Sequence, residues 1–147
     1  MKNSLKIRKA SEFDLDSLNN LNSKSFEELT KKLDFLNFFN KKNYEIIVAT
    51  KEKNVVGYLL SLNVTENLFE IISIAVDSYY RKRGIGSLLM SDFLGNKEVN
   101  SKIILEVANK NIAAIRLYKN FLFDIDGIRK DYYKDPIDDA FLMSRII

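Results

Sequence analysis

One stretch, residues 70–86, constrains the fold more than any other part of the chain, and it reads EIISIAVDSYYRKRGIG. Its first half is apolar and rich in β-branched residues, which predicts a strand. A polar break at residues 77–78 ends the strand, and Gly84 and Gly86 then open a helical pattern. A strand that leads through a glycine-bearing turn into a helix leaves backbone N–H groups unpaired beside the positive end of the helix dipole. The stretch therefore predicts an anion site, to which residues 81–83 add positive charge.

The glycines of this turn match neither of the common nucleotide-binding fingerprints. A dinucleotide-binding G-x-G-x-x-G would need a third glycine where Leu89 stands, and a P-loop would need G-K-[ST] after the turn. A basic turn in which the glycines serve only the backbone geometry remains an alternative to a phosphate site. The turn therefore narrows the ligand to an anion without naming it.

The absence of cysteine and histidine narrows the chemistry that the chain can perform. Among 147 residues there is no Cys and no His, which excludes a thiolate nucleophile, a Ser-His-Asp triad and most zinc or iron sites, so we expect no metal. Acid–base chemistry would have to use Asp, Glu, Lys or Tyr. The net charge of +3 is mild and requires no nucleic acid partner. No apolar run reaches the roughly 20 residues that span a bilayer, and the N-terminus lacks an apolar signal region, so we expect a cytoplasmic protein without a membrane partner.

The hydrophobic pattern on either side of the central stretch predicts one α/β domain, residues 1–147, with a mixed sheet. Three successive strands with short polar connections are typical of an antiparallel meander, and the strand, helix and strand that follow suggest a parallel crossover. Ser11, with Asp14 three residues on, predicts the start of the first helix. The predicted order is β-α-α-β-β-β-α-β-α-β-β, at residues 5–8, 11–25, 29–39, 44–50, 55–64, 70–76, 84–94, 101–109, 113–121, 121–129 and 140–146.

Glu106 is the first candidate for chemistry, because it lies inside the apolar strand sequence IILEV. Strand alternation puts Glu106 on the face opposite to Leu105 and Val107. Burying an unpaired carboxylate is costly, so its presence in this strand calls for an explanation. A general base that acts on an amine and a solvent-facing edge position both remain open.

Three tyrosines form a second set of candidates. Tyr118 shares a helix face with Leu117 and Phe121, and packing against the sheet is enough to explain it. Tyr132 and Tyr133 stand in a charged segment, predicted to be a loop between the last two strands. Because that segment offers them no obvious core, they could form the aromatic walls of a ligand groove.

Two segments together resemble the GNAT superfamily of N-acetyltransferases. IAVDSYYRKRGIGSLLM is similar to its pyrophosphate-binding motif, [Q/R]-x-x-G-x-[G/A], which is matched by Arg81, Gly84 and Gly86. LEVANKNIAAIRLYKNFLF resembles the L-E-V-x-x-x-N-x-x-A-x-x-L-Y-x-x-x-G-F pattern of the RimI-like alanine N-acetyltransferases, which modify the N-terminus of a small-subunit ribosomal protein. The resemblance covers residues 70–133 and implies the GNAT acyltransferase fold.

The resemblance also implies acetyl-CoA as the co-substrate and gives roles to individual residues. Glu106 falls on the family's general base, and Tyr118 falls on its general acid, which protonates the departing thiolate. Tyr132 and Tyr133 match a tyrosine pair near the acceptor peptide. The implied acetyl-CoA contacts are Ile74, Ala75, Val76, Arg81, Lys82, Arg83, Gly84, Ile85, Gly86 and Asn111.

Two departures from the family pattern bear on the acceptor. Leu122 stands where the pattern has a glycine, and residues 25–28 read Ser-Phe-Glu-Glu where the family often has a Pro-Trp loop that helps to form the acceptor site. We expect acetylation of a protein N-terminus, with the N-terminal alanine of a small-subunit ribosomal protein as the acceptor. Two alternatives remain: an acetyltransferase that acts on other N-termini, lysine or small amines, and a non-catalytic CoA-binding regulatory module.

Overall fold

A computed structural model of the protein describes residues 4–25, 33–134 and 136–147. The described helices are α1 to α4 and the described strands are β1 to β7. In chain order they are β1 (Leu5–Lys9), α1 (Leu15–Ser25), α2 (Phe35–Phe39), β2 (Tyr44–Lys51), β3 (Asn54–Thr65), β4 (Leu68–Val76), α3 (Ile85–Gly95), β5 (Lys102–Ala108), α4 (Ile112–Asn120), β6 (Asp124–Lys134) and β7 (Ile137–Ile146). The predicted order of helices and strands and the α/β class are confirmed. Within these ranges, none of the helices has the length and apolar character that crossing a membrane requires.

The seven strands form one mixed sheet in the order β1-β2-β3-β4-β5-β7-β6. The predicted meander is confirmed, because β2, β3 and β4 pair antiparallel. The predicted crossover is confirmed as well: β4 and β5 are parallel, with α3 between them. Strand β7 pairs with β5 on one side and with β6 on the other, so β6 forms one edge of the sheet.

Each face of the sheet carries its own apolar core. On one face, α3 and α4 pack on residues such as Leu59, Leu105 and Val107. On the other face, residues of α1 and α2 pack on Val48 and Leu60. The strand alternation predicted for β5 is confirmed, because its apolar odd-numbered residues are buried under α3 and α4. Glu106 therefore projects from the face of α1 and α2.

The helix predicted to start at Ser11 begins there as a 3-10 turn, Glu12–Asp14, which Ser11 caps and which leads directly into α1 at Leu15. The backbone N–H of Ser11 donates to Asp14 Oδ2 at 2.8 Å, and Arg8 donates to both oxygens of the same carboxylate, at 2.8 and 2.9 Å. These bonds from Arg8 hold the pKa of the Asp14 carboxyl below its usual range. The chain between β1 and α1 is thus tied down by a charge-assisted bidentate pair.

The last hairpin differs from its prediction. Its strands extend to Lys134 and from Ile137, so Tyr132 and Tyr133 lie in β6 rather than in a loop. Strand β6 is the sheet edge and most of its residues are exposed. An edge strand of this kind carries no apolar alternation, which explains why the sequence pattern did not reveal it.

Two other predictions concern the start of the second helix and the turn at Leu122. The described part of the second helix is Phe35–Phe39, and the predicted start near Leu29 lies outside the described residues, as do residues 26–28 of the altered acceptor loop.

Leu122 has a φ of 67°, a left-handed conformation that favours glycine. The turn after α4 therefore keeps the backbone geometry that the family's glycine would serve, at a steric cost for leucine.

Candidate active site

Strands β4 and β5 pair at one end and separate at the other. Their parallel pairing runs over four residues of each strand and ends at Ile71 opposite Leu105. Beyond that point β4 continues to Val76 and β5 continues to Ala108. An irregularity at Leu60 and Ser61 in the β3–β4 pairing bends β4 where the two strands part. The result is a wedge-shaped gap in the middle of the sheet, open at the carboxyl ends of both strands.

The edge of β4 that faces this gap offers backbone hydrogen-bonding groups. The N–H of Asp77 donates to the carbonyl of Val56 on β3 at 2.8 Å. Because antiparallel pairs alternate between bonded and non-bonded positions, Ala75 also directs its backbone groups at β3. Ile74 and Val76 then direct theirs toward the gap. The gap can therefore accept an extended ligand that pairs with β4 as an added strand would.

The turn between β4 and α3 gathers unpaired N–H groups beside the gap. Among the described residues, the N–H groups of residues 82–87 have no hydrogen-bond acceptor, whereas Leu88 already donates to the Gly84 carbonyl at 3.0 Å. Gly84, at the N-cap position of α3, has a φ of 80°, and Lys82 has a φ of 62°. Two left-handed residues in a short turn direct successive N–H groups into one concavity, which is a nest for anions.

The start of α3 lies directly on the sheet because Gly57 leaves room for it. A Cβ atom on Gly57 would lie 3.1 Å from the carbonyl oxygen of Ala75 and 3.2 Å from the Ile85 side chain, closer than ordinary packing allows. Gly57 pairs with Val76 at the end of β4. Its lack of a side chain therefore brings the anion nest of residues 82–87 close to the backbone N–H of Val76.

The basic side chains of the turn do not all point into the nest. Arg81 folds back, and its Nε donates to the Val76 carbonyl at 3.3 Å. The Arg83 guanidinium lies over the rings of Tyr79 and Tyr80, at 5.5 and 5.4 Å from their centroids. The direct contacts that the nest offers an anion therefore come from backbone N–H groups, with the two arginine side chains engaged beside it.

Glu106 lies on the β5 side of the gap, next to several polar groups. One of its carboxylate oxygens, Oε2, is buried and has no hydrogen-bond partner among the described residues. Arg129 Nε is 3.4 Å from that oxygen, a distance at which the two groups form an ion pair without a hydrogen bond. Burial first, and then the nearby Glu106 carboxylate, raise the pKa of Tyr133 to about 12, so this phenol stays protonated at neutral pH.

Tyr118 approaches the gap from the opposite face of the sheet. It is only 5% exposed, belongs to the core under α3 and α4, and packs its ring 5.9 Å from that of Phe123. Burial is the main cause that raises its pKa, and the Tyr133 and Tyr58 hydroxyls add to the effect. Its hydroxyl donates to no acceptor in the described part of the chain. The hydroxyl of Tyr118 therefore stays protonated at neutral pH.

The end of the last hairpin is held in position by one buried and one partly buried carboxylate. Asp138 is 6% exposed and accepts from the backbone N–H of Lys110, at the turn that follows β5, at 2.8 Å. Asp139 accepts from the N–H of Asp131, which has a φ of 51°, also at 2.8 Å. The pairing of β6 with β7 is interrupted between Arg129 and Tyr133. These bonds fix the bulge that carries the two tyrosines and Arg129 relative to β5.

Comparison with known proteins identifies the family. The sequence pattern of the Acetyltransferase (GNAT) family matches residues 15–123, well over half of the chain. The chain belongs to the GNAT acetyltransferase family. An N-alpha-acetyltransferase of Sulfolobus acidocaldarius is 32% identical to it, over 94% of this chain and 90% of that one. The family resemblance, the fold and the enzyme class predicted from the sequence are thereby confirmed, and this protein is an N-acetyltransferase.

Two further proteins resemble this GNAT enzyme. The ribosomal protein bS18-alanine N-acetyltransferase of Escherichia coli is 35% identical over 60% of this chain and 64% of its own. A crystal structure with that activity in its name, also from E. coli, superposes with a TM-score of 0.84 over 98% of this chain and 94% of that one, at 24% identity. Arabidopsis thaliana NAA60 in complex with acetyl-CoA superposes with a TM-score of 0.83 over 98% and 99%, at 20% identity. The two structural matches show the shared fold.

The remaining residues predicted for the site of the GNAT enzyme lie at its rim. Asn111 is the N-cap of α4, where its Oδ1 accepts from the Ala114 N–H at 3.2 Å. Tyr132 and Tyr133 pack edge to face, with ring centroids 5.1 Å apart. Ala75 is the one predicted contact whose backbone groups turn away from the gap, toward β3. Its side chain belongs to the core under α1 and α2.

Sequence reasoning missed two charged residues close to Glu106. Arg129 was hidden in an edge strand, where a charged side chain is ordinary. Glu70 lies on β4, and burial first and then Glu106 raise the pKa of its carboxyl. Glu70 lies opposite Ile104, which is on the same face of β5 as Glu106, so the carboxylates of Glu70 and Glu106 share a face of the sheet. The sequence does not reveal this, because it does not give the register of the two strands.

Proposed function

We propose that this enzyme transfers acetyl from acetyl-CoA to the N-terminal α-amine of a protein, with the N-terminal alanine of a small-subunit ribosomal protein as its acceptor. The observation that carries the proposal is the gap between β4 and β5. It brings an anion nest, a strand edge with free backbone groups, a carboxylate and a protonated tyrosine into one site. The N-alpha-acetyltransferase and bS18-alanine N-acetyltransferase relatives support the choice of acceptor.

The described residues fit acetyl-CoA in two respects. The unpaired N–H groups of residues 82–87 suit a pyrophosphate, which needs several donors converging on one concavity. The backbone groups of Ile74 and Val76 suit the amides of the pantetheine arm, which can pair with a free strand edge. Asn111 would add a contact through its amide nitrogen, since its oxygen already caps α4. When bound, acetyl-CoA supplies an acetyl thioester that an amine can attack directly.

The side chains of the site would manage the proton transfers of direct attack. First, a base removes one proton from the ammonium; second, an acid protonates the departing thiolate, and the proton that the nitrogen still loses as the amide forms returns to that acid. An α-amine is mainly an ammonium at neutral pH, and only its deprotonated form is a nucleophile. Glu106 would accept that proton, directly or through one water, because it lies at the gap and one of its oxygens has no hydrogen-bond partner among the described residues. The N–H of Val76 would donate to the carbonyl oxygen of the thioester.

Tyr118 would supply the second proton transfer. A thiolate leaves more readily when a proton reaches its sulfur, and the buried Tyr118 hydroxyl keeps its proton until then. The two proposed groups approach from opposite faces of the sheet, Glu106 from the face of α1 and α2 and Tyr118 from the face of α3 and α4. Such an arrangement lets the amine enter on one side of the thioester carbonyl and the thiolate depart on the other.

The tyrosines of β6 would line the path of the acceptor peptide. Tyr132 is 44% exposed and Tyr133 is half-buried beside Glu106, so the pair offers both an aromatic wall and a hydroxyl that remains a donor. No nucleophilic side chain is needed for direct transfer, which agrees with a chain that contains neither Cys nor His.

A panel of peptides would test the acceptor. Peptides that differ only in the first residue, together with N-terminally blocked peptides that contain lysine, would be incubated with enzyme and acetyl-CoA and analysed by mass spectrometry. We expect acetylation at the α-amine, with the alanine-initiated peptide modified fastest. Modification of lysine in the blocked peptides at a comparable rate would contradict the proposal and favour a lysine acetyltransferase.

The anion nest makes a separate prediction for CoA binding. Gly84→Val forces a β-branched residue into a φ of 80°, which costs about 1–2 kcal/mol in that conformation and turns the neighbouring N–H groups. We expect the Kd for CoA, measured by calorimetry, to rise about tenfold or more while the secondary structure is retained. Gly95→Val, at an exposed position that ends α3, serves as the control. An unchanged Kd for Gly84→Val would exclude the nest from CoA binding.

A further inference from the structure

The Arg129 side chain pairs with Glu106 from the edge of the sheet. Arg129 lies on β6 and Glu106 on β5, with β7 between them, and the Arg129 Nε is 3.4 Å from Glu106 Oε2. In the described part of the chain it is the one cation within ion-pair distance of that carboxylate. The Glu106 carboxylate thus has a positive neighbour before any ligand binds. The Arg129 N–H does not form a hydrogen bond with the buried oxygen, however.

The guanidinium is held loosely. The Arg129 side chain is 57% exposed, whereas that of Glu106 is 28% exposed, so water competes for the cation more than for the anion. The guanidinium also lies 5.5 Å from the centre of the Tyr132 ring, a distance typical of a cation–π contact. The Arg129 guanidinium therefore contacts Glu106 and Tyr132 at the same time, and the contact with Tyr132 does not depend on the ion pair.

Among the residues that the structure describes, the other titratable groups near Glu106 are acidic or phenolic. Glu70 faces it from β4 and Tyr133 faces it from β6, and the effect of Glu106 on the pKa of both groups is to raise it. A cation that approaches this cluster is attracted by two carboxylates and meets one competing cation, Arg129.

We propose that Arg129 is a positioning residue that occupies the place of the acceptor ammonium beside Glu106 until the acceptor displaces it, after which Arg129 keeps its contact with Tyr132. The inference rests on the proposed role of Glu106 as the base. Before the acceptor binds, Arg129 holds the carboxylate toward the acceptor path. An incoming amine has to exchange for the guanidinium, so only a cationic acceptor gains the full interaction with Glu106. Arg129 thereby lowers the affinity for a charged acceptor and leaves the affinity for a neutral ligand of the same shape unchanged.

The expected effect is modest, because the pair is partly exposed. Exposed ion pairs contribute roughly 0.2–1 kcal/mol, which corresponds to a change in Kd of up to about fivefold. A pair of this strength can be exchanged by a ligand, whereas a buried bidentate pair could not.

Calorimetry on the enzyme saturated with CoA tests the exchange. The two probes are an alanine-initiated peptide and the same peptide with an acetylated N-terminus, which carries no ammonium. We expect Arg129→Gln to bind the free-amine peptide about two- to fivefold more tightly than the unmodified enzyme does and to bind the acetylated peptide equally well. Lys130→Gln removes the same charge from the next, exposed position of β6 and should change neither affinity.

A double-mutant cycle isolates the pair itself. In a Glu106→Gln background, Arg129→Gln should leave the affinity for the free-amine peptide unchanged, because the carboxylate that pairs with Arg129 is gone. Arg129→Met, which keeps the aliphatic stem, provides a second variant, and thermal unfolding checks that each variant is folded. Weaker or unchanged binding of the free-amine peptide by both folded Arg129 variants would overturn the inference. If the unmodified enzyme binds that peptide but does not acetylate it, the proposed function fails instead.

Discussion

Glu106→Gln is expected to lower kcat at neutral pH by about 10² to 10³-fold, with little change in the Kd for CoA. The substitution keeps the shape of the side chain but removes the base, and general bases contribute on this order. Since the α-amino group has a pKa of about 8, the substrate loses its own proton as the pH rises above that value. The difference in kcat between the variant and the unmodified enzyme should therefore shrink between pH 7 and pH 9.5. Quantification of the acetylated peptide at fixed reaction times would measure it.

Glu98→Gln is a suitable control for this experiment, because it makes the same chemical change at an exposed position away from the gap. A Glu106→Gln enzyme whose rate equals that of the control at every pH would remove Glu106 from the role of base. A deficit that is constant with pH would point to a role in binding or orienting the amine instead.

Tyr118→Phe is expected to lower kcat by about 10²-fold, which is the second largest effect. Phenylalanine keeps the ring in the core beside Phe123 and removes only the hydroxyl, so the fold should persist. The hydroxyl has no acceptor in the described part of the chain, and its loss therefore leaves no partner unsatisfied there. The measurement is kcat together with the Kd for CoA, since a donor to the departing thiolate should affect the first far more than the second.

The same substitution at a distant tyrosine provides the control. Tyr44→Phe removes a hydroxyl at the start of β2, where the ring packs 4.7 Å from that of Phe38. It should retain the activity of the unmodified enzyme. A Tyr118→Phe variant that loses affinity for CoA at an unchanged kcat would show that Tyr118 serves packing or binding rather than proton transfer.

The part of the site proposed to bind acetyl-CoA was predictable, because the sequence patterns that indicate it are local. The anion nest depends on a strand, a turn and the first turn of a helix that are continuous in sequence, and Gly84 marks the left-handed residue that the turn needs. The face of Glu106 followed from a period of two in an apolar strand. The helix start at Ser11 followed from a capping pattern within four residues.

The part of the site proposed to bind the acceptor peptide was less predictable, because it is formed by residues that are distant in the sequence. Strand β6 is an exposed edge, so its composition resembles that of a loop, and its length becomes visible only through pairing with β7. The contact between Arg129 and Glu106 spans two strand intervals of the sheet and 23 positions of the chain, counted as 129 − 106. No periodicity connects such residues, since the register that brings them together is set by the order in which strands assemble.

The sequence by itself determined the order of helices and strands, the family and the position of the nest within the chain. These properties follow from hydrophobic period, glycine and capping residues, each of which acts over a few neighbouring residues. Only the tertiary structure decided that β4 and β5 part after Ile71 and Leu105, that Ile74 and Val76 rather than Ala75 face the gap, and that Arg129 forms an ion pair with Glu106. These properties depend on strand register and on side chains that meet across the sheet, and hydrogen bonding between distant strands fixes both.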